Sequence, residues 1–148
     1  MKVTAIKKTV DAFFNRLGIA GETAITETEE LIDIVLDTPD SGMVIGYHGD
    51  MLESLQLILA LCLAKDRGVY QRVSIEVGEY KKNRSDYLQQ LAMSTKERVL
   101  SESREIALPE LKSWERRVIH MLLSDDKDVL SESVGMGKDR TLVIKPKN

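Results

Sequence analysis

Hydrophobic positions along this chain change their period several times, and each change marks an element. In VTAIKKTVDAFFNRL, residues 3 to 17, the apolar residues Val3, Ile6, Val10, Phe13, Phe14 and Leu17 recur at helical spacings, with Lys7, Lys8, Asp11 and Arg16 between them. That period predicts an amphipathic helix stopped by Gly18. AITETEELIDIVLDTPD then brings β-branched residues and a turn signal at Pro39-Asp40-Ser41-Gly42, predicting two short strands near 23–28 and 31–37. Residues 41–45 read as a single helical turn, and residues 50–66 as a helix apolar nearly all round and therefore buried. QRVSIEV alternates and predicts a third strand.

Gly78 to Asn83 reads as a polar joint. Beyond it, a helix over about 84–102 places Tyr87, Leu88, Leu91, Ala92, Thr95 and Val99 on one face. REIALPEL is a short extended piece, and a second helix runs from Ser113, its expected N-cap, to about Ser124. The tail predicts two strands joined by Gly135-Met136-Gly137. The expected fold class is α+β: two small α+β domains, 1–78 and 79–148.

Composition narrows the class without naming a role. Hydrophobic residues make up 43% and charged residues 30%, as in soluble globular proteins, and the longest uncharged apolar stretch, Leu55 to Ala64, is too short to span a bilayer. The basic start is followed by charges where a signal core would lie, so no secretory leader is expected and a cytoplasmic location is. A lone Cys62 within an apolar run excludes an internal disulfide and suits a reducing compartment. Net charge is −3, but residues 1–78 hold seven Lys/Arg against twelve Asp/Glu, and residues 79–148 hold fourteen against twelve. Only the second half presents a basic balance.

Two constellations carry chemistry. VIGYHGDMLESLQ sets Gly46 and Gly49 three apart between two expected helices, an arrangement whose bare amides, backed by a helix N-terminus, can grip a phosphate; it can equally be a plain turn. In KSWERRVIHMLL, Arg116 and His120 stand one helical turn apart on one face. Arginine offers a planar fork for phosphate oxygens and histidine a hydrogen bond or a stacking ring. The bland alternative pairs Arg116 with a carboxylate and turns His120 to a buried backbone group. Trp114 reads as a core residue, with stacking as its minority role.

The order αββααβ with G-x-x-G between its middle helices resembles the type II KH domain, which implies that Gly46 to Gly49 clamp single-stranded RNA or DNA and that Ile45 packs in the core. SWERRVIHMLL followed by RTLVIKP resembles the Arg-x-x-x-His domain of bacterial Jag (SpoIIIJ-associated) proteins, and the whole chain resembles that family, with the KH unit first. Many Jag proteins carry a further N-terminal domain and linker; this sequence begins at the KH helix, so the role of that part is not carried over. The resemblance gives Arg116 and His120 the ligand contacts. Charge alone nominates Arg117, Lys138, Arg140, Lys145 and Lys147 as a surrounding basic surface, and Lys81, Lys82 and Arg84 as a track between the domains. One departure matters: such loops usually carry Lys or Arg at the central positions, where this one has Tyr47 and His48, with Asp50 alongside. Binding there is expected to be weaker or pH-sensitive, with Tyr47 stacking on a base.

No catalytic constellation is expected. The two histidines and single cysteine lie in separate elements, Asp37 and Asp40 read as turn formers, and GYHGD matches neither a P-loop nor a dinucleotide fingerprint. No metal or cofactor is implied. The sequence therefore points to a binder of single-stranded RNA, with single-stranded DNA as a possible second ligand. The competing expectation is a KH-fold scaffold that pairs with itself, as a homodimer, or with another KH protein.

Overall fold

The structure is a computed structural model describing residues 2–147, so Met1 and Asn148, the ends of the two expected domains, lie outside the described residues. The chain divides into two compact units between Lys81 and Lys82.

In the first unit the elements are α1 (Lys2–Arg16), β1 (Glu22–Glu27), β2 (Leu31–Asp37), α2 (Ser41–Ile45), a 3₁₀ turn at Tyr47–Gly49, α3 (Asp50–Arg67) and β3 (Arg72–Val77). The sheet order is β1-β2-β3. β1 and β2 pair antiparallel with Ile25 opposite Ile34, and β2 and β3 pair parallel with Ile34 opposite Ile75. A parallel neighbour requires a crossover, which α2 and α3 supply. The core gathers Ile6, Val10 and Phe14 from α1, Ile32, Ile34 and Leu36 from β2, Leu59 and Leu63 from α3, and Ile75 and Val77 from β3.

α3 departs from the sequence expectation of a helix buried all round. Leu52, Leu55, Leu59, Ala60 and Leu63 are buried, but Leu57, Ile58 and Leu61 are 55%, 50% and 55% exposed. One three-stranded sheet covers one face of a helix, and the opposite face stays in solvent although its side chains are apolar.

α4 (Tyr80–Glu102) begins with the last two residues of the first unit, where a polar joint was expected, and runs on into the second, where it is followed by β4 (Ile106–Leu108), α5 (Ser113–Leu123), β5 (Val129–Val134) and β6 (Thr141–Pro146). α4 reaches back to Tyr80 because Tyr80 packs against the first unit's core and the Lys81 amide donates to the Glu76 carboxylate, closing an otherwise bare helix start. The sheet order is β4-β6-β5, antiparallel throughout. Leu88, Ala92 and Val99 of α4 and Ile119 and Leu123 of α5 pack on Val129, Leu142 and Ile144, with Trp114 partly buried beside them. Ser113 is not the N-cap of α5: Lys112 holds that position, and its amide donates to the Glu115 carboxylate at 3.1 Å. Among the described residues, no helix is long and apolar enough to cross a membrane.

Candidate nucleic-acid interface

The glycine loop is a left-handed turn at the head of α3. Gly46 adopts φ 70°, ψ −169°, a region open to glycine alone, and a Cβ there would lie 2.6 Å from the Cβ of Met51. His48 follows at φ 51° and Gly49 at φ 76°. The turn closes on itself through the Gly49 amide to Gly46 O and the Asp50 amide to Tyr47 O. In such a turn the amides of Tyr47 and His48 have no carbonyl to reach, and successive amides running from right- to left-handed conformation form an anion-binding concavity. Behind them stands the N-terminus of the 18-residue α3, whose dipole favours the same charge.

The side chains temper that field. Asp50 and Glu53 occupy the first turn of α3, and both carboxylates oppose a phosphate there. Tyr47 is 77% exposed and its ring meets His48 edge-on at 4.1 Å between centroids, so the pair offers one aromatic surface at the loop's rim. Ile45, expected in the core, is half-buried against it.

One neighbour of the loop was missed in the sequence. A Cβ on Gly49 would sit 2.8 Å from the Tyr80 hydroxyl, so the phenol ring lies directly on that glycine. Glu79, at φ 58°, turns the chain so that the first residue of α4 reaches this place. The only sequence signal was an aromatic residue shortly after the last strand of the unit. Lys81, expected to track a nucleic-acid strand, is instead engaged: its ammonium donates to Gln56 Oε1 and Ser74 Oγ. Burial pushes its pKa below the ordinary lysine value, against the pull of Glu76 and Asp33. Gln56 Oε1 also accepts the Ile75 amide at 2.9 Å, on a strand that ends the sheet order.

In the second unit, α5 presents the Arg-His pair with each member anchored separately. The Arg116 guanidinium donates to the Leu111 carbonyl at 2.6 Å and the Ser113 hydroxyl at 3.2 Å, and its other N–H donors have no partner among the described residues. It pairs with a carbonyl where the bland reading had a carboxylate. His120 Nδ1 lies 2.8 Å from the hydroxyl of Ser131 on β5, which fixes the ring and leaves Nε2 for a ligand. Ser131 was invisible as a partner because eleven residues and a loop separate it from His120.

The basic surface expected around this pair is only partly assembled. Arg117 and Lys138 are exposed, and Arg140 is exposed with one donor on the Gly135 carbonyl. Lys145 is opposite Leu130 in the register, on the sheet face turned away from Ser131, and it pairs with Glu132 at 2.5 Å. That hydrogen bond to Glu132 holds the Lys145 pKa above its ordinary value. Lys147 donates to the Asp126 carbonyl and Arg84 is bound to the buried Glu115, with its guanidinium over the Tyr87 ring. Arg84 is therefore a structural cation, whereas Lys147 is exposed and tied at one carbonyl, as Arg140 is. Of the three residues expected to track between domains, Lys82 alone is exposed. Among the described residues no cluster of His, Cys, Asp and Glu could hold a metal ion.

Comparison with known proteins places these two sites in named domains. Residues 4–77 match the family described as KhpA/KhpB, KH domain, and residues 86–146 match the domain family named for its Arg-x-x-x-His motif. The chain is 30% identical over 137 residues to the RNA-binding protein KhpB of Clostridium symbiosum, covering 91% of this chain and 62% of that protein. It is 30% identical over 133 residues to its namesake in Bacillus subtilis, covering 87% and 64%. With the Streptococcus pneumoniae protein of that name, identity is 34% over 113 residues, covering 76% and 34%. The chain thus spans less than two thirds of these relatives' length. A KhpA/KhpB-type KH domain of αββααβ order followed by an Arg-x-x-x-His domain makes this chain a member of the KhpB, or Jag, family.

Proposed function

We propose that this protein binds single-stranded RNA in the cytoplasm with limited sequence preference, as a binder and not a catalyst. Residues 1–78 and 79–148 act as its two binding units. The observation that carries the reading is the glycine loop: a turn only glycine can open at Gly46, at the head of a long helix, in which the Tyr47 and His48 amides reach no carbonyl among the described residues. The name RNA-binding protein borne by the relatives supports it. In the first unit Gly46 to Gly49 contact a phosphate and Tyr47 stacks on a base. In the second, Arg116 and the Nε2 of His120 meet a further phosphate or base, with Arg117, Lys138 and Arg140 nearby in charge. Lys145, on the other sheet face, contributes little.

The test is fluorescence anisotropy with labelled single-stranded RNA and DNA pools at two salt concentrations and at pH 6 and 8. Tyr47→Asp with His48→Asp reverses the loop's charge tendency while keeping both glycines, and Arg116→Ala with His120→Ala removes the second contact. Each pair is expected to weaken binding at least tenfold while the circular dichroism spectrum is unchanged. Wild-type protein that fails to bind RNA at low salt, or pairs that bind as it does, overturns the reading.

One observation favours a second reading, a scaffold that pairs with itself or another KH protein. Leu57, Ile58 and Leu61 form a half-exposed stripe along α3. A scaffold joined there gives a sedimentation coefficient that falls on Leu61→Glu and responds little to salt, whereas phosphate binding weakens steeply with salt.

A further inference from the structure

The cations of the acidic first unit are not spread over it. Residues 1–78 hold seven Lys/Arg, and five of them, Lys2, Lys8, Arg16, Lys65 and Arg67, line a single groove of about 1020 Å³ between α1 and the C-terminal turns of α3. Arg67 is paired with Glu27, but Lys2, Lys8, Arg16 and Lys65 pair with no carboxylate among the described residues. Of the twelve Asp/Glu in the same stretch, Asp66 alone lines the groove, and it accepts the Thr9 hydroxyl at 2.8 Å.

The floor between these cations is apolar. Ala12, Phe13, Leu17, Cys62 and Val69 line it, with Leu17 and Val69 each about half exposed. Because Lys2 and Leu17 both border it, the groove runs the length of α1, about 22 Å at 1.5 Å per residue. It is also remote along α3 from the glycine loop, since Gly49 and Lys65 are separated by about 24 Å of helix.

We propose that this groove is a protein-docking site that receives an amphipathic helix of about four turns, with its apolar face on the floor and acidic residues along its flanks. Length and shape suit a helix laid beside α1 and not a small molecule. Charge complementarity selects an acidic helix: four free ammonium and guanidinium groups edge the groove. The apolar floor argues against a nucleic-acid strand, because a phosphodiester chain has no continuous apolar face to bury and the half-buried Phe13 gives no open stacking platform. This site is independent of RNA binding at the loop.

The experiment uses the full chain, isotopically labelled for amide NMR, and three probes: a synthetic four-turn Leu/Glu amphipathic peptide, its Leu/Lys twin, and a single-stranded oligonucleotide of the acidic peptide's charge. The acidic peptide is expected to give saturable shifts along α1 and over residues 61–69. Lys8→Glu with Arg16→Glu, both exposed and outside the core, weakens it at least tenfold and lets the Leu/Lys twin bind. Leu17→Ser weakens it without restoring the twin. Three results overturn the proposal: no saturable shifts in the groove, displacement of the peptide by the oligonucleotide, or a change in the protein's own sedimentation on charge reversal, which would make the occupant a second copy.

Discussion

Gly46 and Gly42 stand four residues apart and answer substitution oppositely. At Gly46 an alanine meets both a backbone conformation closed to it and the Met51 Cβ, so Gly46→Ala is expected to destabilise the first unit by about 1–3 kcal/mol in urea unfolding. At Gly42, within α2, a Cβ meets nothing within 4 Å, and Gly42→Ala is expected to stabilise by about 0.4–1 kcal/mol through the unfolded chain. A residue-scale test of the second site is Ser131→Ala. The hydroxyl orients His120, so its loss is expected to weaken RNA binding about three- to tenfold, the equivalent of one hydrogen bond, while Ser131→Thr retains most of the affinity. Both glycines and both members of the Arg-His pair were legible as candidates because each motif is local. Tyr80 and Ser131 were not, because each is brought to its partner by chain lying between them.

Among the elements, α3 separates hydrophobic pattern from burial. Leu59→Ala removes a fully buried side chain and is expected to cost about 2–5 kcal/mol, whereas Leu57→Ala, on the exposed stripe, stays within about 0.5 kcal/mol by the same denaturant midpoint. Equal costs would mean that the outer face is covered in the native protein. The turn from α5 to β5 supplies an element-scale pH dependence. Asp126 accepts a hydrogen bond from Lys96 and two more from the Asp128 and Val129 amides, which together hold its pKa below the ordinary 3.8. A carboxylate depressed in the folded state stabilises fully above its unfolded value and loses that contribution as pH falls through the folded one. Acid titration of tryptophan fluorescence is therefore expected to show the second unit weakening below about pH 4, with Asp126→Asn flattening that dependence.

Across the whole molecule, charge is divided unevenly and salt should expose the division. In the proposed reading the first unit's loop offers amides and an aromatic rim beside Asp50 and Glu53, while the second offers a guanidinium. Removing Arg116 is expected to lower the slope of log affinity against log salt by about 0.7, one single-strand phosphate contact, whereas Tyr47→Ala weakens binding by about 1–3 kcal/mol with the slope nearly unchanged. Titration of both variants across a salt series reads the two effects separately. A slope unaltered by Arg116→Ala would remove that residue from the phosphate contacts.

The sequence by itself determined the element order, the two-unit α+β organisation and the two motifs, because helical and strand periods, turn glycines and short spacings are properties of neighbouring residues. Tertiary structure alone decided which apolar face of α3 is core, which cations are free and which side of a sheet each occupies. Lys81, Arg84, Lys145 and Lys147 look alike in sequence, yet all four are engaged, by Ser74 and Gln56, by Glu115, by Glu132 and by the Asp126 carbonyl. A charge becomes available to a ligand only after the fold has assigned its partners, and those partners lie up to 31 residues away along the chain.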